Sequence, residues 1–124
     1  MKILIIDAQG GGIGKQLVLA VKGSMPDAVV TAVGTNSAAT SAMLKAGADH
    51  AATGENAVVV NSRKADVIIG PVGIVIADAL FGEITPLMAK AVAQSSGKRI
   101  LIPVNHCDNI VVGVGDLIRE LEKL

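Results

Sequence analysis

Tryptophan and tyrosine are absent from this 124-residue sequence, and Phe81 is its one aromatic side chain. The core must therefore be aliphatic, drawn from apolar residues that make up 51% of the chain. There is no series of rings on which nucleic-acid bases could stack. Neither sign of charge is in excess, since Lys plus Arg and Asp plus Glu both total 11. Without a basic stripe to meet a phosphate backbone, nucleic acid is excluded as the main partner. The lone Cys107 has no partner for an internal disulfide, and the apolar run Ile3 to Ile6 is too short for the core of a secretion signal, so the chain reads as cytoplasmic. No run approaches the ~20 apolar residues of a membrane span. With one Cys and two His there is no metal-ligand spacing, and no metal site is predicted.

What is present is organised around Asp7-Ala8-Gln9-Gly10-Gly11-Gly12-Ile13-Gly14-Lys15. This loop follows an apolar strand, Ile3 to Ile6, and opens a helical pattern with Ile13, Leu17 and Val21 four residues apart. A strand turning through glycines into a helix brings backbone N–H groups and the positive helix end up to an anionic ligand. Lys15 falls in the first helical turn, where the dipole disfavours a cation by roughly 0.3–1 kcal/mol, which suggests either an anion nearby or a solvated side chain. Asp7 is read as a cap for loop N–H groups rather than a ligand to metal.

Further along, Ala28 to Val33 reads as a buried strand ending at Gly34-Thr35-Asn36, where Thr35 or Asn36 caps a helix to about Ala46 that Gly47 closes. A weak strand around His50 to Ala52 precedes a helix over 57–63. That segment carries three valines, but a crossover is required before the next strand, Asp66 to Ile69. Ile74 to Phe81 reads as a short apolar helix stopped by Gly82, and Thr85-Pro86 starts a helix to about Ser95. Ile100 to Ile102 is the next strand. The seven residues from Pro103 to Asn109 are too few for a crossover, so Ile110 to Val114 is predicted as an antiparallel sixth strand at the sheet edge. Leu117, Leu121 and Leu124 form the stripe of a final helix packed on the sheet. Together these predict a single α/β domain over 1–124: a Rossmann-like doubly wound sandwich, mostly parallel, with strand order 3-2-1-4-5 and strand 6 antiparallel at the edge.

The glycine loop departs from the known phosphate motifs. A dinucleotide fingerprint started at Gly10 would need glycine at Lys15, and the acid expected at the end of the second strand for a ribose is replaced by Gly34-Thr35-Asn36. Short-chain dehydrogenase chemistry is excluded because its tyrosine has no counterpart. In a P-loop reading, Gln16 stands where a hydroxyl should hold magnesium. A purely structural glycine turn remains the plain alternative.

Taken in order, the loop from Asp7 to Lys15, Gly34-Thr35-Asn36, Ala52 to Ala57, Gly70 to Ile74, Gly82 to Pro86 and Ile102 to Asn105 resemble a bacterial family of short proteins of unknown function, regarded as Rossmann-like. The resemblance implies the fold and length and carries no activity.

The residues themselves predict binding of a nucleotide, NAD(P) or another dinucleotide, or another small phosphate-bearing ligand. Candidate binding residues are Gly10, Gly11, Gly12, Ile13, Gly14, Lys15, Thr35, Asn36, Gly70 and Pro71. Alternatives are a structural or regulatory oligomeric module, or an enzyme using Glu55, His106 or Cys107 on the same rim. A mean hydropathy of +0.57 and the apolar 74–81 segment predict a homodimer built on that segment and the Met88 helix.

Overall fold

A computed structural model describes residues 1–104 and 109–124. Five strands, β1 (Lys2–Asp7), β2 (Val29–Gly34), β3 (His50–Thr53), β4 (Val67–Pro71) and β5 (Lys98–Ile102), form one sheet in the order β3-β2-β1-β4-β5. All adjacent pairs are parallel. The helices are α1 (Gly12–Ser24), α2 (Ser37–Lys45), α3 (Glu55–Ser62), α4 (Pro86–Ala93) and α5 (Leu117–Glu122). β1 is central, and a central parallel strand is covered on both faces, which is why Ile3, Leu4, Ile5 and Ile6 run without alternation. Leu4, Ile6 and Ile68 pack with Val58, Met88 and Val92 of α3 and α4, while Ile3, Ile5 and Ile69 pack with Val18 and Met43 of α1 and α2.

Helix boundaries follow local chemistry. Asn36, not Thr35, caps α2 by accepting the Ala39 N–H at 2.9 Å, and Gly47, with φ 116°, follows the helix end. Thr85 caps α4 through the Met88 N–H at 3.2 Å, with Pro86 at the first helical position. At the end of the sheet away from the glycine loop, Asp49 accepts the Val30 N–H at 2.8 Å and the Lys22 ammonium at 2.9 Å. These two contacts hold its carboxyl below the ordinary aspartate range.

Four expectations are corrected. Ile110 to Val114 forms no sixth strand: 110–113 has no regular structure and Val114–Asp116 is a 3-10 turn. Its β-branched residues have the propensity, but they are exposed and packing decides such cases. The 74–81 helix is a 3-10 turn over Val72–Val75 followed by hydrogen-bonded turns, because Asp78, Leu80 and Phe81 adopt left-handed backbone angles that no right-handed helix can pass through. That segment does not supply a broad exposed face either, since Ile74, Leu80 and Met88 are in the core and Phe81 alone of the large side chains stands out, 81% exposed. Finally, α5 does not lie on the sheet, and Leu117, Ile118, Leu121 and Leu124 are all exposed. Among the described residues no helix is long and apolar enough to cross a membrane.

Candidate functional site

β1 and β4 are neighbours whose connections leave in opposite directions, one toward β2 and the other toward β5. The crevice beyond their C-terminal ends is where doubly wound sheets collect ligands. A cleft of about 140 Å³ lies here, lined by Asp7, Ala8, Gln9, Gly10, Gly12, Ile13, Pro71 and Leu80.

Two kinds of glycine occur around it, and only Gly10 and Gly12 line it. Gly11 has φ 75°, and an added Cβ would lie 2.8 Å from the Ala39 Cα, so it sets the approach of α1 to α2. An added Cβ on Gly14 would meet the Met43 Sδ at 2.5 Å and the Asp7 Cβ at 2.8 Å. Gly70 is likewise packed, with the Ile6 carbonyl 2.5 Å from where its Cβ would be. Gly10 and Gly12 have nothing within 4 Å. Their absence of side chain leaves open space and answers no packing need.

Asp7, 5% exposed, is a cap: Oδ1 accepts the Ala8 N–H at 2.8 Å and Oδ2 the Gly14 N–H at 2.6 Å. Its charge offsets the roughly +0.5 of the helix end, so recognition in the cleft falls to N–H groups more than to net potential. Those groups are available. Among the described residues nothing accepts the N–H of Gly10, Gly12 or Ile13. The Gln9 Nε2, enclosed by the protein, also has no acceptor. Lys15 is exposed, two residues beyond Ile13 of the cleft wall.

Thr35 and Asn36 do not line this cleft. They grip Glu83, a residue to which sequence reasoning gave no role: its Oε1 accepts the Thr35 hydroxyl at 2.6 Å, the Asn36 amide at 2.7 Å and the Gln9 N–H at 3.1 Å. Glu83 arrives on a tight strap after β4, in which the Asp78 N–H donates to the Ile84 carbonyl at 2.7 Å and Ile84 returns a bond to Ala79 at 3.2 Å. An acid beside Gly82 was visible in the sequence, but no local signal says that a connection leaving β4 folds back to the end of β2. Glu55 is also on the rim but is engaged by the Thr85 hydroxyl at 2.6 Å, tying α3 to α4. His106 and Cys107 lie outside the described residues. Among those described, no three metal-binding side chains gather.

Burial pushes the Glu83 carboxyl up, but bonds from Thr35, Gln9 and Asn36 outweigh it and hold the group below the ordinary glutamate range. A lowered folded pKa contributes stability that is fully present above the unfolded value of about 4.3 and is lost as pH falls through the folded one. The stabilisation that Glu83 gives the strap should therefore persist from neutral pH down to the ordinary carboxylate range and fade only below it. The amide signal of Gln9, which donates to Glu83, followed by NMR against pH checks this, and loss of that bond above pH ~5 would contradict it.

The model of the domain of unknown function DUF3842 matches residues 2–122. No curated protein matches the chain. Among solved structures, a probable oxidoreductase from Mycobacterium abscessus is similar at 23% identity and TM-score 0.55, over 98% of this chain and 38% of that one. AibC is similar at 20% identity and TM-score 0.55, over 96% and 34% respectively. A dodecameric FMN-dependent Ubix-like decarboxylase from Escherichia coli O157:H7 follows at 20% identity and TM-score 0.51, over 98% and 74%. The chain thus spans little more than a third of the first two, and the likeness shows a shared Rossmann-like fold.

Proposed function

The chain belongs to the DUF3842 family, a domain of unknown function, and from that premise we propose that it is a cytoplasmic binding module for a nucleotide, dinucleotide or other phosphate-bearing metabolite. The observation that carries this reading is the coincidence of donors without a protein acceptor: the N–H groups of Gly10, Gly12 and Ile13 and the Gln9 Nε2 all belong to residues lining one cleft. Buried donors are almost always paired, and the enclosed Gln9 amide, which has no acceptor, would gain one from a ligand oxygen once its side chain turns toward the cleft. Phosphate oxygens at a glycine loop opening a helix supply several such acceptors at once. Lys15 offsets charge from the solvent side. That one structural neighbour depends on FMN, itself a phosphate ester, agrees with this ligand class. Mass spectrometry of small molecules released from the natively purified protein tests the reading: a stoichiometric phosphate ester is expected, and a bound compound lacking phosphate would contradict it.

We also propose that the protein is a homodimer, through a surface other than the 74–81 segment. On the α1 side of the sheet, Ile100 of β5 pairs in register with buried Ile69 yet is 51% exposed, because α5 does not cover it. The same chain carries an uncovered apolar stripe on α5 together with exposed Ile110, Val111, Val112 and Val114. A second copy placing its α5 segment over this sheet face removes both from water, and β5 with residues 110–124 approaches the 20–30 residues a side of a standard interface. Light scattering at low micromolar concentration should give twice the chain mass of 12.5 kDa, falling to the monomer in Ile118→Glu/Leu121→Glu without loss of helical signal. A wild-type species of 12.5 kDa would rule the dimer out.

A further inference from the structure

Glu83 is fixed more firmly than a rim carboxylate requires, and one of its oxygens is left unused. Oε1 takes all three donors, from Thr35, Asn36 and Gln9, while among the described residues nothing donates to Oε2. The strap that delivers it holds Asp78, Leu80 and Phe81 at φ 65°, 58° and 58°. Left-handed backbone is costly for residues other than glycine, and such strain gathers at functional sites. Gln9, itself at φ 53°, belongs to both places: it is one of the residues lining the cleft and its N–H holds Glu83.

The cleft, at about 140 Å³, is well below the ~300–1,000 Å³ that encloses a drug-sized ligand. A phosphate group fits, and the remainder of a larger ligand must leave across the rim. The Glu83 carboxylate adjoins the cleft residue Gln9 on that rim, 3.1 Å from its N–H. Rossmann-like sheets commonly end β2 in an acid that accepts ribose hydroxyls. Here β2 ends in neutral Gly34-Thr35-Asn36, and those neutral side chains clasp an acid brought from another connection.

Resting on the reading of the cleft as a phosphate site, we propose that Glu83 Oε2 is the acceptor for sugar hydroxyls, so that the ligand is a ribose phosphate or a nucleotide built on one. An ionised carboxylate is an acceptor only and selects hydroxyl donors. Glu83→Gln is a sharp probe, because its amide oxygen can keep the three donors now on Oε1 while its NH₂ replaces the acceptor at Oε2.

The test is titration of the full-length protein with ribose 5-phosphate, 2-deoxyribose 5-phosphate and inorganic phosphate, following both affinity and the amide signals of Gly10 to Lys15. Ribose 5-phosphate should move those signals and bind on the order of tenfold tighter than its 2-deoxy analogue, the worth of one hydrogen bond to a charged group. Glu83→Gln should erase that preference while keeping the response to phosphate. Equal affinity for the two sugars, with the amides still moving, overturns the hydroxyl role and leaves the phosphate site standing. Amides that no phosphate moves overturn both. If Glu83→Gln does not fold, the comparison of the two sugars on the wild-type protein decides alone.

Discussion

Gly11→Ala is expected to lower stability by about 3–4 kcal/mol, whereas Gly12→Ala, one residue on, should melt at or slightly above the wild-type temperature. At Gly11 the backbone is left-handed, which costs a residue with a Cβ about 1–2 kcal/mol. The new methyl would also stand 2.8 Å from the Ala39 Cα and 2.9 Å from its carbonyl oxygen, backbone atoms of α2 that can yield only by moving the helix. Overpacking of that kind costs about 1–3 kcal/mol. Against a total of roughly 5–15 kcal/mol the sum is large, and it translates to a fall of roughly 10–20 °C in Tm. At Gly12 nothing lies within 4 Å and alanine is the better helix former. Thermal melts of the two variants side by side check the contrast. A Gly11→Ala protein melting within a few degrees of wild type would show that the α1–α2 approach is looser than described.

Gly12→Asp should leave the fold intact and weaken ligand binding on the order of 100-fold. An acid in the first turn of α1 is favoured by the helix dipole by about 0.3–1 kcal/mol, and its Cβ enters open space. The same carboxylate lies on the cleft wall, against the position proposed for the phosphate. Two unit charges ~4 Å apart near a protein surface repel by about 4 kcal/mol, and the loss of 100-fold in affinity requires only about 2.7 kcal/mol of that. Stability and binding thus move in opposite directions at one residue, which a merely structural loop would not produce. Unchanged melting together with unchanged affinity would argue that Gly12 faces no anion.

Much of the architecture is legible in the sequence because the determinants are local or follow from burial. Uninterrupted Ile3 to Ile6 marks a strand covered on both sides, Asn36 and Thr85 are caps, and the need for a crossover makes Val58 to Val60 helical despite their branching. The misreadings share a cause. Propensity and pattern give Ile110 to Val114 and the α5 stripe partners on the sheet, but where such residues pack is decided by surfaces that sequence periodicity does not specify. Ile74 to Phe81 has helical apolarity, but Ile74 and Leu80 are drawn into the core, and Asp78, Leu80 and Phe81 are left-handed. In the site, the loop was evident from its glycines, and the division of labour among them was not. Whether Gly11 and Gly12 differ depends on α2, which lies far along the chain. Glu83 was missed for the same reason, since its partners Thr35 and Asn36 are 48 and 47 residues away.

The most direct test of the central claim is an amide-resolved NMR titration of the wild-type protein with a panel of nucleotides and dinucleotides up to millimolar concentration. The account predicts that the Gly10, Gly12 and Ile13 N–H signals, which have no acceptor among the described residues, shift first and most as they gain phosphate oxygens, while the Gly14 N–H, held by Asp7 at 2.6 Å, moves little. Signals from Gly10 to Lys15 that stay unmoved across the whole panel would contradict it.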